Sequence, residues 1–183
     1  SNAQDVELMF SIMSGAKYDP CNPVDLSRMR IGIIEDYSLQ GLQPGVRQAF
    51  ETMLDLIRER GAQIVNVLLP GVDEVVDAQL VVDAVEPSAV HYKLIQEKNT
   101  EYGSDVLARL RAGCDLTGVE YVQAQRFRLR FRQEVERLFD QVDMLLTPTL
   151  PFTAPPMKTT EIKITEDLTV STLSGNMKYT AIP

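Results

Sequence analysis

Apolar positions along this chain follow two rhythms, one close to a helical turn and one of alternate residues, and the changes between them mark the elements. Val6, Met9, Phe10 and Met13 recur at helical spacing, with Gly15 as a stop. A polar, proline-bearing stretch, "KYDPCNPVDLS", is expected to cross the surface. "RMRIGIIEDY" then places Ile31, Ile33 and Ile34 in a buried strand. After "SLQGLQPG" comes the clearest helix, with Val46, Ala49, Phe50, Met53, Leu54 and Ile57 on one face and Gly61 at its end. "QIVNVLLP" is a second strand, closed by Pro70. Strand, amphipathic helix and strand in succession predict a βαβ unit, its crossover right-handed and its strands parallel.

The middle of the chain reads as helical. "DEVVDAQLVVDAVE" and "PSAVHYKLIQEKN" are expected as two helices separated at Pro87, which suits a first turn and breaks the helix before it. "SDVLARLRAG" predicts a short helix capped by Ser104 and ended by Gly113. "TGVE" is a capping box, in which Thr117 caps the Glu120 amide while the Glu120 carboxylate reaches back. The helix it opens carries a stripe of Ala124, Phe127, Phe131, Val135, Leu138 and Phe139, and leads into "VDMLLTPT", a third buried strand. Beyond it Ile162, Ile164, Leu168 and Val170 alternate with polar residues, predicting one or two edge strands. The fold class is α/β, a small mostly parallel sheet covered by helices. Residues 1–3, Ser-Asn-Ala, resemble a tag remnant and are set aside; residues 4–183 read as one domain.

Composition removes some classes of partner. A net charge of −8 argues against nucleic acid or an anionic membrane as principal partner, since both reward a basic surface. No apolar run approaches the roughly 20 residues that span a bilayer. Cys21 and Cys114 lack metal-ligand spacing and read as reduced thiols of a cytoplasmic protein.

Candidate chemistry is sparse. His91 is the single histidine, so any histidine-based triad or metal site has to pass through it. It stands in a helix with no nucleophile beside it and reads as structural. Arg126, Arg128, Arg130 and Arg132 point to two flanks of a helix, which favours pairing with neighbouring carboxylates over a phosphate patch. "SGN" at 174–176 lacks the strand–loop–helix setting of a phosphate cradle and reads as a turn. The residues alone show no catalytic constellation, and they call for no metal and no cofactor.

The order of several segments nevertheless resembles one family. "DVELMFSIMSGAKYDP", "RIGIIEDY", "AFETMLDLIRERGAQIVNVLLP" and "EPSAVHY" are similar, in sequence and order, to the C-terminal half of the amidase signature family. So are "SDVLARLRAGCDLTGVEYVQAQRFRLRFRQEVERLFDQVDMLLTPTLPFTAPP" and "YTAIP". The resemblance implies part of the amidase signature fold and cleavage of amide C–N bonds by a Ser–Ser–Lys triad. One serine attacks, a second serine with a cis peptide bond relays the proton, and a neutral lysine is the base. A Gly/Ser-rich loop holds the oxyanion. This chain has no Gly-Gly pair and no Ser-Ser pair, so the resemblance implies an internal fragment whose triad belongs upstream, inactive alone.

By the same resemblance, "TPTLPFTAPP" is one wall of the substrate pocket, with Thr147, Thr149 and Phe152 as substrate-binding candidates. Arg109 stands where the family's tRNA-dependent amidotransferases use an arginine to hold a substrate carboxylate, a task suited to a planar fork of donors. Arg111 is the alternative register, and an arginine tying helix ends together is the structural alternative for Arg109. The expected partners are a small-molecule amide and a second copy of the chain, the C-terminal strands joining two copies in a homodimer. The rival reading is a non-catalytic binding or assembly module derived from an amidase.

Overall fold

A computed structural model describes residues 2–17, 24–98 and 101–182. At its centre is a three-stranded parallel sheet in the order β2–β1–β3, formed by β1 (Arg30–Ile33), β2 (Gln63–Asn66) and β3 (Met144–Leu145). Ile31 faces Ile64 on one side and Met144 on the other. The expected neighbouring strands and parallel βαβ unit are both present. A single-turn helix, α2 (Glu35–Ser38), follows β1.

The crossover helix α3 (Pro44–Glu59) starts with proline at its first turn, where no N–H is required. Its apolar stripe buries Phe50 (4 % exposed) and Leu54 (2 %) against Ile33, with Met53 and Ile64 packed alongside. Each such side chain contributes about 1.5–3 kcal/mol on burial. Gly61 ends the crossover at φ 90°, a conformation that a side chain disfavours. At the other edge Arg30 grips Asp143 through Nη2–Oδ1 at 2.9 Å and Nε–Oδ2 at 3.3 Å, locking β3 beside β1. Hydrogen bonds from Arg30 hold the Asp143 carboxyl below its usual range.

The helical layer departs from expectation in two places. Residues 75–97 form one continuous helix, α4 (Val75–Glu97), with Pro87 inside it. The break fails because α5 (Ser104–Asp115) supports α4 at that point. Ser88 Oγ lies 2.5 Å from Ala84 O and 2.8 Å from Leu110 O on α5, its single proton shared between the two carbonyls. Gly113 does not end its helix; it lies inside α5, where a side chain would collide with the Ala84 carbonyl and Ser88 Oγ. Ser104 starts α5 as its first residue and makes no cap; Gly103 takes that position. α6 (Gly118–Leu138) opens with the expected capping box: Thr117 Oγ1 accepts from Glu120 N at 3.2 Å, and Glu120 Oε2 from Thr117 N at 2.7 Å. Ala124, Phe131, Val135 and Leu138 are buried, whereas Phe139 at the helix end is exposed.

The C-terminal strands find each other. β4 (Glu161–Lys163) and β5 (Thr169–Ser171) form a two-stranded antiparallel pair, so each finds a partner within the chain on one side. "SGN" lies in α7 (Thr172–Met177), capped by Ser171, and not in a turn. At the other terminus α1 (Ala3–Ser14) has Asn2 and Asp5 as a capping box and ends on Gly15 at φ 71°. Its apolar stripe is exposed. Cys114 is an exposed free thiol; Cys21 and most of "KYDPCNPVDLS" lie outside the described residues.

Candidate functional site

β3 leads straight into the proline-rich segment 147–156, and the segment's shape is held by a residue far upstream. Gln43 N donates to Pro151 O at 2.8 Å. Its side-chain Oε1 accepts from Thr153 N at 3.1 Å and Thr153 Oγ1 at 3.3 Å, and its Nε2 donates to Lys163 O at 3.2 Å. One glutamine at the start of α3 thus ties together the crossover helix, the loop and β4. Pro148 and Pro151 are buried, which fixes a loop whose backbone already has few degrees of freedom. Nothing in the sequence around Gln43 signals this role.

The candidate residues separate. Thr147 lines a groove of about 350 Å3 beside β3, with Ile34, Val135, Phe139, Leu145 and Ile182 as its apolar lining. Asp143 at its border is already engaged by Arg30. The groove can bury an apolar group and offer a hydroxyl, but it holds no free acid or base. Thr149 is exposed on the next turn of the loop. Phe152 is only 3 % exposed and packs with Ile162, Ile164 and Val170, its ring in the space a side chain on Gly175 would need. In this structure it anchors the β4–β5 hairpin under the loop. Arg109 and Arg111 are exposed on α5, which packs on α4, and neither lines the groove of Thr147.

Behind Pro151 lies a second cavity, about 340 Å3, bordered by Tyr37, Asp73, Asp77, Ser174 and Lys178. Lys178 Nζ sits over the rings of Tyr37 and Tyr179 at 5.1 and 5.0 Å and donates to Gln40 O at 2.5 Å. Burial pushes its amine down, partly offset by Asp73. The Tyr37 hydroxyl donates to Lys178 O; burial, reinforced by Asp73, pushes it up to about 12. Burial also raises the Tyr179 phenol. Tyr179 OH reaches the Tyr37 and Ser38 carbonyls at 3.3 and 3.4 Å. The bond between Tyr37 and Lys178 spans 141 positions of sequence, and no local pattern announces the knot it belongs to.

Ser171, Ser174 and Lys178 invite comparison with a serine–serine–lysine relay, but their bonds are structural. The two serine hydroxyls are 3.0 Å apart, and Ser171 caps α7 by accepting from Ser174 N. The lysine amine is turned to Gln40 and the tyrosine rings. His91 Nδ1 meets Tyr102 OH at 2.9 Å in an edge-on ring contact, a structural pairing. Arg132 pairs with Glu136 and Arg128 donates to Gln125, as a solvated helix face does. Among the described residues no group of His, Cys, Asp or Glu could hold a metal ion.

The sheet thus runs into a clamped Thr-Pro-Thr loop beside a largely apolar groove. The family model for Amidase matches residues 2–182, and the chain belongs to the amidase signature family. It is 29 % identical over 166 residues to an amidase of Pseudomonas putida, covering 82 % of this chain and 35 % of that one. A second relative is a component of the glutamyl-tRNA(Gln) amidotransferase of Chloroflexus aggregans, 28 % identical over 156 residues, which cover 73 % of this chain and 32 % of the relative. Among solved structures, a crystal structure of an amidase superposes with a TM-score of 0.80 at 25 % identity, over 96 % of this chain and 41 % of that one. The chain therefore spans about a third of the length of the curated relatives it matches.

Proposed function

We propose that this chain is the part of an amide C–N hydrolase that supplies one wall of the substrate pocket, and that alone it does not hydrolyse amides. The observation that carries this reading is the family match over residues 2–182 in a chain that spans only 35 % of the Pseudomonas amidase and has no Gly-Gly or Ser-Ser pair. The wall is the groove beside β3. Its apolar lining takes the hydrocarbon part of a small amide, Thr147 offers a hydroxyl to its polar end, and Thr149 extends the rim. Phe152 serves the wall indirectly by seating the loop. Arg109 is the proposed contact for a substrate carboxylate once the rest of the fold is present. The nucleophile, the relaying serine and the lysine base come from that remaining part, and the protein acts in the cytoplasm without a cofactor. Self-association of the isolated chain as a homodimer belongs to the same reading, through its exposed apolar surfaces and the outer edges of the C-terminal strands.

The test is hydrolysis of a simple aromatic amide by the purified chain. The expected result is no turnover above the uncatalysed rate, because each member of such a triad carries orders of magnitude. Turnover abolished by a serine-directed reagent would overturn the reading. A natural reading frame confined to these residues would favour the non-catalytic binding module.

A further inference from the structure

Arg30, Arg47 and Arg128 are the half-buried arginines among the described residues, and two of the three hold an acid. Arg30 meets Asp143 at 2.9 Å and Arg47 meets Glu51 at 3.4 Å. Arg128, on α6, meets no carboxylate among the described residues. Its one hydrogen bond there runs from Nη1 to Gln125 Oε1 at 3.2 Å, a neutral amide. That amide is fixed from behind, since Gln125 Nε2 donates to Tyr121 OH at 2.8 Å and to Glu86 Oε1 at 3.2 Å. Most of the Arg128 fork is left unused. A guanidinium drawn partly out of water ordinarily has a counter-ion, and a chain of net charge −8 has acids enough to supply one.

Arg128 lines a cavity of about 430 Å3 between α4, α6 and residues 180–182. Arg132, one turn along α6, lines the same cavity. Glu136 takes its Nε at 2.9 Å, and no hydrogen bond holds its terminal amino groups among the described residues. The other nearby acids are engaged, Asp83 by Gln79 and Glu86 by Gln125. Like charges at i and i+4 repel each other, and an anion between them turns that cost into attraction. The rest of the wall is mostly apolar, with Val75, Leu129, Phe131 and Ile182. We infer that this cavity binds a small organic carboxylate. The charged end lies between Arg128 and Arg132, whose planar donors suit its two oxygens. The hydrocarbon part lies on Val75, Leu129 and Ile182, in a space that suits a molecule the size of phenylacetate. Inorganic phosphate fits less well, because it has no apolar part to bury and brings more negative charge toward Glu136. The site is distinct from the groove of Thr147, which neither arginine lines. It does not depend on the amidase reading.

The test titrates the purified chain with sodium phenylacetate at low salt, by calorimetry and by amide NMR signals. Binding is expected, weaker as salt is added, with shifts at Arg128, Leu129 and Ala181. Arg128→Gln is expected to weaken it by about tenfold or more, as loss of a charged hydrogen bond does, and Arg132→Gln by about threefold or more. Arg130→Gln removes the same charge from outside the cavity and leaves binding unchanged. Phenylacetone, which keeps the shape and lacks the charge, is expected to bind about tenfold or more weakly than phenylacetate. Phenylacetate should also raise the Tm of the parent and not that of Arg128→Gln; a merely structural Arg128 would lower the variant's Tm and leave the parent's unmoved by the ligand. The inference is overturned by no binding at millimolar phenylacetate, by equal binding to folded Arg128→Gln, or by equal binding of phenylacetone. Inorganic phosphate bound as tightly as phenylacetate would overturn the carboxylate class, and shifts confined to the Thr147 groove would overturn the site. The NMR shifts need only the parent protein, so they decide the matter even where a variant fails to fold. None of these outcomes measures turnover, and the amidase reading stands or falls by its own assay.

Discussion

α3 and α1 carry apolar side chains at the same spacing, i, i+3, i+4 and i+7, and each is followed by a glycine with positive φ. Their surroundings are opposite. The stripe of α3 lies on the sheet that its own flanking strands build, so the cover arrives through a short crossover. The stripe of α1 faces solvent. A hydrophobic period states that a face seeks burial; only chain connectivity states whether the cover is near. Breaking the α3 stripe should therefore have the largest effect in the molecule. Phe50→Ala is expected to cost about 3–5 kcal/mol and to lower Tm by roughly 10 °C or more. A melting shift below about 3 °C would mean that the α3 stripe is not the seat of the core.

The same distinction separates what could be read in the sequence from what could not. β1, α3 and β2 are legible because their periodicities are local and agree with their stops. The capping box of α6 is legible because both of its bonds span three residues. Pro87 misleads because the forces that keep α4 continuous come from Leu110 and Gly113 on another helix. The strands of the C-terminal region are visible by alternation, but their pairing with each other is not. In the candidate site, the family resemblance points to Thr147 as a candidate. Nothing local marks Gln43 or Lys178, since their partners lie 110 and 138 positions away.

Gly113 offers the next largest effect and sharpens the point about α4. Gly113→Ala places a methyl group against the Ala84 backbone carbonyl, which cannot swing aside as a side chain can. Overpacking of this kind costs about 1–3 kcal/mol. The urea midpoint should fall, with the slope of the transition unchanged. An unaltered midpoint would show that α5 can lift from α4 without loss.

Tyr37 tests the knot behind the loop. Tyr37→Phe removes the hydroxyl that donates to Lys178 O and should cost about 1–3 kcal/mol at neutral pH. The pH dependence has a definite sign. The folded phenol is raised to about 12 from 10.0, so its contribution is fully present below pH 10.0 and is lost as pH rises toward about 12. Tyr179, also raised, adds to that loss. Lys178 is lowered and opposes it, since releasing its proton relieves the buried charge. Urea unfolding at stepped pH should show midpoints falling across this window, and a smaller fall for Tyr37→Phe. Equal falls in both proteins would remove Tyr37 as the source. Thr117→Ala, which deletes the α6 cap, is expected to cost about 1 kcal/mol, read as a Tm about 3 °C lower.

The smallest expected effect returns to α1. Met13→Ser changes a side chain at the same helical spacing as Met53 in α3, but one that is 81 % exposed. Removing apolar surface that is already in water forfeits no burial, and exposed substitutions of this kind stay within about 0.5 kcal/mol. The isolated chain should melt within about 2 °C of the parent. Its tendency to associate should change more than its stability, because the exposed groove that Met13 shares with Val6, Met9 and Phe10 becomes less apolar. Light scattering coupled to size exclusion reads that change directly as a mass closer to 20.5 kDa for the variant. A loss of stability approaching that of Phe50→Ala would place α1 in the core of this chain and dissolve the contrast between the two helices.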